Sequence, residues 1–244
     1  MGTVIAVTSG KGGTGKTSIT GGVAASLSLM GRSVLCIDMD IGLRNLDITL
    51  GLNDRALMDF SDVALGRCPL ARAAVDHPEI KGLALLTAPM SLPASLTAEK
   101  VRALLDTART IYDYILIDSP AGLGVGFRLA ICGADRAVVV STNDASSLRD
   151  AQRTVVEMDY LRQVHLVMNR IQTRLLRKLR TTIDDAMNAA GLPLIGVVPE
   201  DPQVILCANL GQPITSRGKK GAALACWNIA QRLEGQKVPI MRIR

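Results

Sequence analysis

Hydrophobic positions in this chain fall in short continuous runs rather than in strict alternation, the pattern of strands covered on both faces. Thr3–Val7, Ser33–Ile37, Gly82–Leu86, Tyr114–Asp118, Ala134–Ser141, Gln163–Met168 and Pro193–Val198 are such runs, each about the length of a strand. Between them the spacing changes to that of helices. A small-residue helix follows the first run and reaches Gly31, and Met58–Leu65 makes a short one. Lys100, Val101, Leu104, Leu105 and Ala108 space another, with Thr97 as its N-cap. Thr142–Asp150 leads into a helix ending at Tyr160, where Ser147 and Asp150 read as a capping box. Leu175, Leu176, Leu179, Ile183, Met187 and Ala190 give the apolar side of one continuous helix closed by Gly191, and Gly221–Leu233 is the last. Strands that alternate with helices predict an α/β fold: a doubly wound, mostly parallel sheet flanked by helices in three layers. A single domain is expected over 1–235, with a short basic and apolar tail over 236–244.

Composition supports that architecture and removes several functions. The 244 residues are 48% hydrophobic but only 2% aromatic, so the core must be built from Val, Ile, Leu, Ala and Met. No apolar run reaches the length of a spanning helix and Met1 leads straight into the first strand, so a cytosolic protein is expected. The five cysteines have no C-x-x-C spacing, which argues against a disulfide framework or a zinc site. His77 and His165 are the only histidines, which leaves Ser-His or Cys-His nucleophilic catalysis without support; His165 reads as a packed strand residue. The net charge is +6, and Arg162, Arg170, Arg174, Arg177, Lys178 and Arg180 lie in a stretch without acids. That stretch reads as a solvated helix face, or as a patch for nucleic acid or anionic lipid.

The chemistry is concentrated at the ends of the strands. Ser9-Gly10-Lys11-Gly12-Gly13-Thr14-Gly15-Lys16-Thr17-Ser18 follows the first strand and opens the first helix, matching G-x-x-x-x-G-K-[ST] in the context that defines a phosphate-binding loop. Its glycines let backbone N–H groups curl around an anion, and the helix N-terminus adds unpaired donors. Lys16 is placed to pair with the β- and γ-phosphates, and Thr17 offers a hydroxyl to Mg²⁺. The second strand delivers Asp38 and Asp40, two apart and so on one side of the chain. Asp40 is the candidate for positioning an attacking water, Asp38 for the Mg²⁺ shell or its support. Tyr114–Asp118 ends in Asp118, a second candidate for the Mg²⁺ shell, before Ser119-Pro-Ala-Gly122. Gly122, Gly124 and Gly126 do not keep the G-x-G-x-x-G spacing of a dinucleotide loop.

Lys11 adds a second lysine at the head of the loop, and Lys-Gly-Gly-Thr-Gly-Lys-Thr resembles the deviant Walker A motif of the MinD/ParA ATPases. Asp38–Asp47 with Leu50-Gly-Leu52 is similar to the MinD branch more than to ParA, the nitrogenase iron protein or the Mrp-type carriers. The resemblance runs from Met1 to about Glu234. It implies a P-loop ATPase that uses ATP and Mg²⁺, forms a nucleotide-sandwich homodimer, and acts as a switch in placing the bacterial division septum. Lys11 would reach the partner's phosphates, so that Lys11, Lys16 and Asp40 are the catalytic set. Asn169-Arg170 and Pro199-Glu200-Asp201 would hold adenine, Asn169 by its amide, and Ser119–Gly122 would be the switch loop. Arg149, Asp150 and Arg153 would lie on a surface for MinC-like and MinE-like partners. The family's MinD branch continues into a basic amphipathic helix that binds membrane. Here Val238, Ile240, Met241 and Ile243 beside Lys237, Arg242 and Arg244 make only a stub, interrupted by Pro239. The alternatives are a ParA-like partition ATPase that binds DNA through the Arg170–Arg180 patch, a flagellar-number ATPase of the same kind, or a P-loop metabolic enzyme related to dethiobiotin synthetase. The last needs an acceptor pocket, for which no residues are found.

Overall fold

Every one of these apolar runs forms a strand of one sheet in a computed structural model that describes residues 1–241 and 243. The strands are β1 (Thr3–Thr8), β2 (Val34–Asp38), β3 (Val75–Asp76), β4 (Leu83–Leu86), β5 (Tyr114–Asp118), β6 (Arg136–Ser141), β7 (Gln163–Ile171) and β8 (Leu194–Pro199). They lie in the order β3-β4-β2-β5-β1-β6-β7-β8. All pairings are parallel except that of the two-residue edge strand β3 with β4. The order reverses at β1, so the phosphate-loop connection leaves the sheet at its switch point, where open α/β sheets bind ligands.

The helices are α1 (Lys16–Leu29), α2 (Leu46–Leu50), α3 (Phe60–Ala64), α4 (Leu70–Ala73), α5 (Ala98–Arg109), α6 (Val125–Ile131), α7 (Ala145–Val156), α8 (Thr173–Leu179), α9 (Ile183–Ala190), α10 (Pro202–Asn209) and α11 (Gly221–Leu233). On one face Ile5, Val7, Cys36, Leu116 and Val138 pack against Ile19 and Val23 of α1 and Ile229 of α11. The other face has two apolar clusters. Leu35, Ile37, Ile115 and Ile117 meet Val101, Leu104 and Leu105 of α5. Ala6, Val139, Leu166 and Met168 meet Phe127 of α6, Ala151 of α7 and Ala186 of α9. Both faces of the central strands are therefore dry, which is why their residues read as continuous runs.

Four local expectations need correction. The short helix begins at Phe60, not Met58, because the Asp59 carboxylate accepts from Ser61 and Asp62 N–H and the Asp62 carboxylate returns the bond, closing a capping box. Thr97 occupies the N-cap position of α5 but its side chain makes no capping bond. Ser147 and Asp150 form no capping box: Asp144 caps α7 by accepting from Ser147 N–H, while the Ser147 hydroxyl turns to Ser141. The continuous helix over 175–190 is two helices, since Arg180 takes a left-handed φ of 52° and Thr182 starts α9 with a capping box to Asp185. The tail folds back on the body: the Arg232 guanidinium donates to the Val238, Pro239 and Ile195 carbonyl oxygens, while Met241 and Ile243 pack against the core. Arg242 and Arg244 of the expected stub lie outside the described residues.

Candidate nucleotide site

The loop between β1 and α1 makes its turn with Gly13 at φ 78° and Gly15 at φ 91°, a region closed to most side chains. Gly15 also has no room for a side chain, because a Cβ there would meet the Asn169 amide nitrogen at 2.3 Å. Gly15 stands at the N-cap of α1 without a capping side chain, and the first turn of α1 holds no acid. The amide N–H groups and positive dipole end of a fourteen-residue helix thus face the loop, with no capping side chain and no acid in the first turn to neutralise them. Lys16 is buried, 6% exposed, inside this cradle.

Lys11 behaves differently. Its side chain is 45% exposed and reaches the start of α7. There Nζ donates to Ser146 Oγ at 2.9 Å and to Asp144 Oδ1 at 3.5 Å. Asp144 is a strong anchor. Thr142 and Ser146 hydroxyls and Ser147 N–H all donate to its carboxylate, which these bonds and the Lys11 charge hold well below the usual range in spite of some burial. Neither Asp144 nor Ser146 was among the candidates. The Asp-x-x-Ser spacing ahead of α7 was the available signal, and the Ser147–Asp150 spacing competed with it.

Asp38 and Asp118 are register partners at the carboxyl ends of β2 and β5, with Val7 of β1 on the other side of Asp118. Asp38 Oδ1 accepts from Asp40 N–H at 2.8 Å and Oδ2 from Leu46 N–H at 3.1 Å, so this carboxylate shapes the segment that presents Asp40. Burial pushes it up to about 6, against those two backbone bonds. Asp118 is buried and pushed up to about 7, first by burial and then by the Asp38 charge; the Thr17 hydroxyl and Lys16 pull the other way. The Thr20 hydroxyl donates to Asp118 Oδ1 at 3.3 Å, whereas Oδ2 is buried with no hydrogen-bond partner among the described residues. An unpaired carboxylate oxygen beside a threonine hydroxyl is an all-oxygen donor pair that suits Mg²⁺. Among the described residues there is no cluster of three or more His, Cys, Asp or Glu that could hold a metal by itself. That fits an ion which takes its remaining ligands from phosphate and water. Asp40 is raised by burial and lowered by Lys16.

Beside the loop, Gly15, Ser18, Asn169, Arg170, Pro199 and Asp201 line a narrow cleft floored by Ile19 and Val204. Asn169 Nδ2 donates to the Thr14 carbonyl at 2.8 Å, fixing the amide against the phosphate loop. Arg170 follows in a bulge of β7 with φ 54°. Glu200 N–H bonds the Ile171 carbonyl, and the Asp201 carboxylate ties α10 to α11 by accepting from Gln203 and Ala222 N–H. The cleft joins the two strand ends expected to flank a base. Arg149 and Arg153 are exposed on α7, and Asp150 lies 3.9 Å from Arg153. The Asp150 carbonyl packs over Gly10, where a Cβ would come within 2.3 Å of it.

A parallel sheet with this loop at its switch point, two buried carboxylates at the neighbouring strand ends and a lysine at each end of the loop define a P-loop ATPase. The profile of the CobQ/CobB/MinD/ParA nucleotide-binding domain matches residues 5–214, and the chain belongs to that family. The septum site-determining protein MinD of Synechocystis sp. is 37% identical over 246 residues, covering 99% of this chain and 92% of that protein. MinD of Bacillus subtilis is likewise 37% identical, covering 98% and 92%. Among solved structures, MinD in the MinC:MinD complex of Aquifex aeolicus superposes with a TM-score of 0.91 at 36% identity, covering 98% of each chain. MinD of Pyrococcus horikoshii OT3, complexed with Mg-ADP, gives 0.83 at 27% identity and 96% of each. As an ATPase of this family the chain uses ATP with Mg²⁺.

Proposed function

We propose that this chain is an ATP-driven dimerising switch that helps place the division septum, with residues 1–235 acting as one ATPase unit. The observation that carries the reading is the difference between the two loop lysines: Lys16 is buried in its own phosphate cradle, while Lys11 is exposed and held by Asp144 and Ser146 at the start of α7. A lysine held outside its own site serves a second subunit brought face to face. In that arrangement Gly10, Gly12, Gly13, Thr14, Gly15 and Ser18 wrap the phosphates, Asn169, Arg170 and Pro199–Asp201 hold the base, and Thr17 and Asp118 hold Mg²⁺ with Asp38 behind them. The ion, when bound there, would supply positive charge that offsets the phosphates. Asp40 orients the water that attacks the γ-phosphate, Lys16 and the partner's Lys11 stabilise the charge that builds on it, and loss of phosphate releases the dimer.

The 36–37% identity to MinD proteins over nearly the whole chain supports the septum role. The Aquifex complex supports a MinC-like partner, for which Arg149, Asp150 and Arg153 are the proposed contacts, and a MinE-like regulator is proposed by the same kinship. Among the described residues no helix is long and apolar enough to cross a membrane. The test uses Asp40→Ala, which keeps the phosphate cradle and removes the water-positioning carboxylate. Sedimentation with Mg²⁺ and ATP should show a stable dimer and with ADP a monomer. A monomer in both states at tens of micromolar protein would refute the switch.

A further inference from the structure

The sheet has a second opening, at the strand ends opposite the nucleotide cleft. Thr3, Tyr114, Arg136, Gln163 and Leu194, the first residues of β1, β5, β6, β7 and β8, border a cavity of about 790 Å³ beside the end of α11. Strand β7 divides the basic stretch of the sequence, since Arg162 precedes it at this end and Arg170 lies near the other. Arg32, Arg136, Arg162 and Arg232 all line the cavity, and its carboxylates are Asp113 and Glu234. Both carboxylates are committed. Glu234 accepts from the Arg32 guanidinium and the Tyr114 hydroxyl, and Asp113 from the Ser33 N–H and hydroxyl. Among the described residues, Arg136, Arg162 and Arg232 have no carboxylate within 4.0 Å. Arg136 donates to the Leu233 carbonyl, and Arg232 to the Ile195, Val238 and Pro239 carbonyls, so both are held in place with N–H groups to spare. His165 stands among them, half-buried, with an Nδ1 that is closed to solvent and has no partner among the described residues.

We propose that this cavity binds a small phosphate-bearing polyanion between Arg136, Arg162 and Arg232, beside His165. Like charges that converge on one cavity repel each other, and the field they focus there favours a ligand with several negative charges in a small volume. A guanidinium meets phosphate oxygens with parallel N–H groups, and the carbonyl bonds that fix Arg136 and Arg232 reduce the ordering cost of that contact. Recess selects a small ligand. Arg136, Arg232 and His165 are half-buried while Arg32 and Arg162 are exposed, so a membrane or a duplex laid across the opening would touch the outer cations and miss the inner ones. The site is separate from the phosphate loop, because Tyr114 to Asp118 and His165 to Asn169 are each a run of strand about 13 Å long. It stands whether or not the ATPase switch does.

The probe is inorganic pyrophosphate, added without Mg²⁺ to the full chain carrying Lys16→Ala, so that the phosphate loop does not compete for it. Calorimetry at pH 7 and fixed ionic strength should show saturable binding with a Kd at or below about 1 mM. Arg162→Gln, a change at an exposed position, should weaken that binding about tenfold by removing charged hydrogen bonds. Arg136→Lys keeps the charge but not the planar fork, and should weaken it as well. His165 reads occupancy directly. Burial and the Arg136 charge hold its imidazole below the usual pKa, so the ring is neutral at pH 7 and an anion beside it should move its NMR signal, in the Lys16→Ala chain and in the parent alike. His77, fixed by the Leu50 carbonyl and the Glu79 and Ile80 N–H groups, should not move. No saturable binding up to about 10 mM, an affinity too weak for any built site, overturns the proposal. So does binding that neither arginine substitution weakens, or a His165 signal that stays in place. Retention on phosphatidylglycerol vesicles or duplex DNA that Arg162→Gln abolishes and pyrophosphate does not displace would overturn it too, since the cations would then serve an extended surface.

Discussion

Asp118 carries the largest local conflict in the site. Its carboxylate is buried beside Asp38, one oxygen has no partner among the described residues, and its pKa is pushed up to about 7. A carboxyl raised in the folded state and ordinary in the unfolded state binds more protons when folded, so stability is lost as pH rises from about 4 through about 7. Asp118→Asn keeps the shape and removes the buried charge. It should raise the Tm of the nucleotide-free protein at pH 7.5 by about 2–4 °C, the shift that roughly 1 kcal/mol produces in a domain of this size, and the gain should shrink toward zero near pH 4. Scanning calorimetry across that range checks the sign. With Mg²⁺ and ATP the order should invert, because the parent gains an ion that the amide holds poorly, and hydrolysis by the variant should be lost. A gain that did not depend on pH would mean that Asp118 is not ionised against burial, and its assignment to the cation would lose its physical basis.

The segment from Thr173 to Ala190 shows where sequence reasoning succeeds and where it stops. Its leucine and isoleucine spacing satisfies a 3.6-residue period from Leu175 to Ala190, so a single helix is the natural reading, and the capping box Thr182-x-x-Asp185 inside it was overlooked as a start signal. The conformation of Arg180 had no signal at all, because a left-handed residue that is not Gly, Asn or Asp is invisible to composition. The phosphate loop, by contrast, was legible because its donors are contiguous in the chain and their chemistry demands glycine. Asp38 and Asp118 were legible because each ends an aliphatic run. Asp144 and Ser146 meet Lys11 across more than 130 residues, and no local pattern reports such a contact. The Arg180 finding makes a prediction whose sign discriminates. In two helices joined at a left-handed residue, Arg180→Gly should stabilise by about 0.5–1 kcal/mol, because glycine adopts that backbone without strain. In one continuous helix the same substitution would destabilise by about 1 kcal/mol. Urea unfolding at fixed ionic strength, with Arg180→Ala as the control for lost charge, separates the two.

The two lysines of the loop decide whether the molecule works alone or as a pair. Lys16 is buried against its own phosphate cradle, so Lys16→Ala should abolish ATP binding and everything that follows from it. Lys11 contributes to the isolated subunit only an exposed contact with Ser146 and Asp144, of a kind worth about 0–1 kcal/mol. Lys11→Ala should therefore leave the fold intact and bind ATP within about tenfold of the parent, a factor that corresponds to about 1.4 kcal/mol. If Lys11 acts on the partner's nucleotide, the same variant should fail to dimerise and should not hydrolyse ATP. The contact with Asp144 adds a kinetic consequence. Lys11 must leave a carboxylate that is firmly ionised before it can cross to another subunit, so Asp144→Asn should speed dimer formation in Mg²⁺ and ATP, and stopped-flow light scattering would record it. Mixing decides the geometry, because a lysine that works in trans poisons its neighbour. Added Lys11→Ala subunits should depress the activity of parental protein below simple dilution by forming mixed dimers with one defective site. Activity that falls only in proportion to the parental fraction, or a Lys11→Ala protein that hydrolyses ATP at the parental rate, would leave Lys11 a solvated side chain and the chain an ATPase that needs no second copy.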